Sequence, residues 1–155
     1  MRILGIDPGT LVVGYAVVDQ TGSRLHAVEY GVFRAPRGAP MAERLGSIQE
    51  RLDLLLARTR PDVFVIERVF AGKSFPSALR IGEGRGAAMA SAARAGVPVV
   101  EFTPAEVKKS VVGSGRAAKQ QVQEMVRIIL GLDTIPRPHD AADALAIAIC
   151  HGNRS

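Results

Sequence analysis

Residues 3–33 read ILGIDPGTLVVGYAVVDQTGSRLHAVEYGVF, and this stretch decides the fold class. Ile3 to Ile6 is a short apolar run, and Asp7-Pro8-Gly9 stops it with a strong turn signal. Val12 to Asp19 and Leu25 to Phe33 follow, rich in Val, Tyr and Phe, with Asp19-Gln20-Thr21-Gly22-Ser23 between them. Three such runs read as a strand meander with hairpin turns. Arg34 to Pro40 is a loop. Beyond it, Met41, Leu45, Ile48, Leu52 and Leu55 fall at helical spacing with charges on the opposite face.

Asp62 to Ile66, DVFVI, is a continuous apolar strand of the kind buried on both faces. Ser77 to Ala95 is a helix built largely from Ala and Gly, residues that call for close packing against another element. Val97 to Phe102 is a fifth strand. Thr103-Pro104-Ala105-Glu106 combines a capping box with proline at the first helical position. A further helix covers about Ala117 to Leu130. The last, Asp140 to Cys150, is apolar nearly all round and therefore buried, with Gly152 able to end it. A meander followed by alternating helix and strand predicts one α/β domain over 1–155, with helices flanking a mixed sheet.

Composition narrows the function. At 155 residues, 47% hydrophobic and 23% charged, the chain is a globular domain rather than a disordered one. No apolar run reaches the roughly 18 residues of a membrane span, and MRILGIDPGT lacks the layout of a signal peptide. The single cysteine, Cys150, allows neither an internal disulfide nor a cysteine metal site. The expected location is the cytoplasm. Net charge is +5 and uneven: Arg68 to Lys119 holds nine basic and three acidic residues, whereas the remainder holds eleven against twelve. A basic half beside a neutral half suggests a polyanion partner, most often nucleic acid.

Four carboxylates carry the chemistry. Asp7 ends the first strand and Glu67 ends DVFVI. Asp140 and Asp143 open the buried last helix, three apart and so on one face. Ligands of open α/β sheets bind beyond the carboxyl ends of strands, so the four acids converge if the last helix starts at that edge. Each alone has a plainer explanation: an Asx-turn at Asp7, a solvated strand end at Glu67, or helix-dipole complementation at Asp140 and Asp143. Together they would repel one another unless cations intervene. Oxygen ligands without cysteine suit Mg²⁺ or Mn²⁺, and two such ions about 3.5–4 Å apart support in-line attack of water on a phosphodiester. His139, beside Asp140, could position water, assist proton transfer or bind metal; it could equally be a cap.

At these residues the sequence resembles the RuvC family of Holliday junction resolvases. The carriers are LGIDPGT at 4–10, VIERVF at 65–70, SALRIGEGRG at 77–86, VKKSVVGSG at 107–115 and DAADALAIAICH at 140–151. The resemblance implies a ribonuclease H-like fold on a five-stranded sheet, and a homodimer placing one nick in each of two like-polarity strands of a four-way DNA junction. It implies that Asp7, Glu67, Asp140 and Asp143 are the catalytic carboxylates holding two Mg²⁺ ions, with Mn²⁺ a substitute. Phe70 would stack on unpaired bases, and Lys108 and Lys119 would meet the DNA backbone. Lys73 and Arg85 are further DNA-binding candidates, although Arg80 and Arg85 lie on the small-residue helix that helps form the family's dimer. The RuvAB branch-migration motor is the implied partner.

Three rivals are distinguishable. GIDPGT also resembles the first phosphate loop of actin-like and Hsp70-like ATPases, but those need two lobes and this chain has length for one. A ribonuclease H-like nuclease acting on RNA would share the acidic site and differ in substrate shape. A catalytically silent junction-binding module would not need all four acids.

Overall fold

The computed structural model describes residues 1–68 and 74–155 of the chain. Phe70 and Lys73 lie outside the described residues.

The meander forms as β1 (Arg2–Asp7), β2 (Val12–Thr21) and β3 (Arg24–Arg34). Gly22, at φ 60°, supplies the left-handed residue of the turn between β2 and β3. Helix α1 (Met41–Thr59) leads to β4 (Val63–Glu67), α2 (Phe75–Arg94) and β5 (Val99–Phe102). Three helices complete the chain: α3 (Pro104–Val112), α4 (Lys119–Leu130) and α5 (His139–Gly152). The strand order is β3-β2-β1-β4-β5. β1 pairs antiparallel with β2 and parallel with β4, so the sheet is mixed. This is the ribonuclease H-like α/β arrangement that the resemblance implies.

Strand alternation divides the sheet into two faces, each packed as an apolar core. Leu4, Ile6, Val13, Val17, Phe64 and Ile66 face α1 and α2 with Ile48, Leu52, Leu55 and Leu56. Ile3, Ala16, Val18, Val63 and Val65 face α5, behind which α3 and α4 add Val107, Val111, Val122 and Val126. Full burial of Leu145, Ile147 and Ile149 on α5 contributes about 1.5–3 kcal/mol each. Among the described residues no helix is long and apolar enough to cross a membrane.

Two local expectations change. The Thr103 hydroxyl accepts from the Glu106 N–H as a cap should, but the Glu106 carboxylate turns to Arg154 at 3.7 Å. Gly152 does not stop α5; it is the last helical residue, and a Cβ there would sit 2.7 Å from Leu25. Its role is to let the helix end pack on β3.

Candidate active site

The parallel register of β1 and β4 pairs Ile3 with Val63 and Ile6 with Ile66. Asp7 and Glu67 are therefore the next residues on neighbouring strands. Alternation puts Asp7 on the face of Ile3 and Gly5, and Glu67 on the face of Val63 and Val65, which is the face covered by α5.

Helix α5 comes unusually close to that face. A Cβ on Gly5 would lie 2.3 Å from the Ala144 carbonyl oxygen and 3.0 Å from the Ala148 Cβ. Gly14, which pairs with Asp7 across β1 and β2, would place a Cβ 2.0 Å from the Asp140 carbonyl oxygen. Any side chain at either position would drive the helix outward. Glycines below and alanines above thus set the backbone spacing, and that spacing delivers the helix's first turn to Asp7. Asp140 lies in that turn, where the helix dipole favours a carboxylate, and Asp143 follows three residues later on the same side.

One carboxylate oxygen from each of Asp7, Asp140 and Asp143 lies within 4.8 Å of the others. Burial pushes the Asp7 carboxyl up to about 8, reinforced by the charges of Asp143, Glu67 and Asp140 and by a side-chain hydrogen bond with Asp140. Glu67 therefore belongs to the same electrostatic unit. Burial also raises Asp143, while Lys119 opposes the shift; the Lys119 ammonium at the start of α4 stands 3.5 Å from the Asp143 carboxylate. Acids this crowded need protons or cations to coexist. The donors are oxygens from carboxylates, with room between them for an ion, and they fit a hard divalent cation such as Mg²⁺ or Mn²⁺.

The remaining candidates separate. His139 is exposed as the first residue of α5, near enough for its charge to act on Asp143. Lys108 is half-buried on α3, and Lys119 is exposed beside the acids. Arg80 is exposed on α2.

Arg85 requires a correction: it is buried, not presented to a backbone. Its Nη1 donates to the Glu67 carbonyl at 2.6 Å, and its Nη2 pairs with the Glu101 carboxylate. Charge counting treats every arginine as surface, whereas strand pairing brings Glu101 beside the end of β4 to receive this one. Glu101, Gly5 and Gly14 carry no sequence signal of their own. Only Gly14's place opposite Asp7, legible once the hairpin is registered, hints at its part.

A family model described as Crossover junction endodeoxyribonuclease RuvC matches residues 3–151. The crossover junction endodeoxyribonuclease RuvC of Chloroflexus aggregans is 50% identical over 151 residues, covering 97% of this chain and 92% of that one. That of Desulfitobacterium hafniense is 45% identical over 153 residues, covering 99% and 93%. Among solved structures, Thermus thermophilus RuvC in complex with Holliday junction substrate has a TM-score of 0.93 at 38% identity, covering 99% of this chain and 94% of that one. The same protein solved as "RuvC structure" gives 0.90. With an acidic cluster at its strand ends and these relatives over almost its full length, the chain belongs to the RuvC family of crossover junction endodeoxyribonucleases.

Proposed function

We propose that this protein resolves four-way DNA junctions by paired, symmetric nicks, with Asp7, Glu67, Asp140 and Asp143 as its catalytic, metal-holding carboxylates. The observation carrying the reading is the convergence of Asp7, Asp140 and Asp143 within 4.8 Å in a chain 38% identical to a RuvC solved with a Holliday junction. The reaction is hydrolysis. A water oxygen bonds to phosphorus, the bond from phosphorus to the 3′ oxygen breaks, and the products carry 5′-phosphate and 3′-hydroxyl ends.

The four carboxylates would hold two Mg²⁺ ions, with Mn²⁺ as a substitute, supplying charge stabilisation and an activated water. The chain's own groups do the rest. Carboxylate repulsion keeps the site open to cations, and Lys119 holds Asp143 in place while its exposed ammonium is available to phosphate. His139 stands at the rim, where an imidazole can accept or return a proton. Lys108 and Lys119 would follow the DNA backbone, making affinity fall steeply with salt.

A homodimer is part of the reading, since two-fold symmetry supplies two matched sites. It is supported by the outer face of α2, where Phe75 is 80% and Leu79 is 52% exposed. Gly82, Gly86, Ala90 and Ala93 continue that exposed face at helical spacing and would let a second helix approach closely. Partnership with the RuvAB motor extends the same reading.

The test is nicking of a synthetic four-way junction with Mg²⁺, comparing wild type with Asp7→Asn and with a linear duplex. Paired nicks by wild type alone, and in the junction alone, are expected, with a loss of at least about a thousandfold in the variant. Equal cutting of the linear duplex would remove junction selectivity. Full activity in Asp7→Asn would overturn the acidic site.

A further inference from the structure

Buried arginines are costly unless fully partnered, and Arg85 is the only buried arginine among the described residues. Its two terminal nitrogens point to two different strands. Nη1 donates to the Glu67 carbonyl on β4 at 2.6 Å, and Nη2 pairs with Glu101 on β5. The β4–β5 register sets Ile66 against Glu101 and Glu67 against Phe102, so the guanidinium closes the last rung of the sheet at a site carboxylate. Glu101 is anchored from the other side by Arg68, 3.8 Å away, whose own N–H donates to the Phe102 carbonyl at 2.7 Å.

The neighbouring residue keys the same turn of α2 to the other strand. A Cβ on Gly84 would lie 2.7 Å from the Gly9 carbonyl oxygen, two residues beyond Asp7. One turn of α2 therefore touches the backbone just past Asp7 through Gly84 and the backbone at Glu67 through Arg85. The distance between two acids on separate strands is thus referred to a single helix.

From this geometry we infer that Arg85, anchored by Glu101, is a positioning residue that fixes the Glu67 end of the metal site. The inference rests on the reading of Glu67 as a site carboxylate. Arginine suits the task because its planar fork donates in two fixed directions at once. A lysine can retain the pairing with Glu101, but one ammonium on a flexible stem cannot hold both acceptors in the same geometry.

The experiment uses three variants: Arg85→Lys, the double variant Arg85→Met/Glu101→Gln, and Glu67→Gln. Four quantities are read: melting temperature, Mn²⁺ affinity by calorimetry, junction affinity in EDTA, and single-turnover cleavage against metal concentration. Arg85→Lys is expected to lose about 10- to 100-fold in Mn²⁺ affinity and in cleavage at limiting metal, with junction affinity within about twofold of wild type. The double variant removes the buried guanidinium together with its half-buried partner Glu101, leaving neither charge unpaired, so it is the variant read if the lysine variant fails to fold. It is expected to show the same loss, because the Arg85 donor to the Glu67 carbonyl is gone.

Unchanged metal affinity and cleavage in folded Arg85→Lys and in the double variant would overturn the inference. So would a loss confined to junction affinity, which would return Arg85 to the DNA surface. Glu67→Gln separates the two levels. If it cleaves normally, the reading of Glu67 itself fails; if it is inactive while Arg85→Lys is normal, only the role of Arg85 fails.

Discussion

The two faces of the sheet differ in how closely a helix backbone approaches the strands. Against α1 and α2 the strands present Leu4, Ile6, Val13, Val17, Phe64 and Ile66, and the helices answer with Ile48, Leu52, Leu55 and Leu56. That interface is apolar. Against α5 the strands also present Ile3, Val18, Val63 and Val65, but where β1 and β2 run closest to the helix they offer Gly5, Gly14 and Ala16, and the helix answers with Ala144 and Ala148. Side-chain volume is given up there for backbone proximity. Both faces bury large side chains, and the α5 face adds a glycine strip that supplies position, because Asp140 can reach Asp7 only if nothing separates helix from strand. The close approach of α5 thus brings Asp140 to Asp7 from one side of the sheet, while α2 meets the Glu67 backbone from the other.

Gly14→Ala is the strongest way to break that approach. The added methyl would stand 2.0 Å from the Asp140 carbonyl oxygen and 2.5 Å from its carbonyl carbon, so the start of α5 must retreat. A shift near 1 Å at a reacting centre costs on the order of a hundredfold in rate, and overpacking costs about 1–3 kcal/mol. Leu52→Ala, fully buried on the other face, should destabilise by about 2–5 kcal/mol yet leave single-turnover nicking well below the melting temperature within about twofold. Melting curves and nicking rates for the pair decide it. If Leu52→Ala loses as much cleavage per folded molecule as Gly14→Ala, the close approach of α5 has no special part in cleavage.

The same contrast explains what could be read in advance. Asp7 and Glu67 were legible because each ends an apolar run, and parallel pairing turns two strand ends into neighbours. Asp140 and Asp143 were legible because an all-apolar helix must be buried and its first turn carries two acids. The glycines were not, since a glycine within a strand reads locally as weak strand propensity, and its value emerges only when a helix from over a hundred residues later lies across it. Arg85 failed for a related reason. Its partner Glu101 is sixteen residues away and arrives through β4–β5 pairing, so counting charges along the chain could not show that it is buried. Gly152 read as a helix stop, while its contact with Leu25 on β3 is tertiary.

A smaller effect sharpens the idea that the acids under α5 are held together at a cost in stability. The Asp7 carboxyl titrates at about 8 in the folded chain against 3.8 ordinarily. Between those values the folded state binds more protons than the unfolded state. Stability therefore falls as pH rises through that window, and the loss is complete above about 8. Without divalent ions, Asp7→Asn should melt above wild type at pH 8, by about 2–4 °C for each kcal/mol of relieved cost. The two curves should converge toward pH 4, and Mg²⁺ should raise the wild-type curve most at the alkaline end. Parallel curves for the two proteins across pH 4–8 would contradict an Asp7 held at stability's expense.

The smallest effect reverses the sign of the largest. Gly46 lies inside α1 with its surface exposed, and a Cβ added there meets nothing within 4 Å. Chemically the change is the same as at Gly14, one hydrogen for one methyl. Helix propensity and the reduced freedom of the unfolded chain favour alanine by about 0.5–1 kcal/mol, so Gly46→Ala should raise the melting temperature by a few degrees with nicking unchanged. Gly46 is helical and Gly14 lies in a strand, and what stands above them differs as well: solvent at Gly46, the carbonyl of Asp140 at Gly14. A gain at Gly46 together with a loss at Gly14 would assign the effect to the helix approach rather than to glycine itself. A cleavage defect in a stabilised Gly46→Ala protein would mean that α1, too, transmits position to the acids.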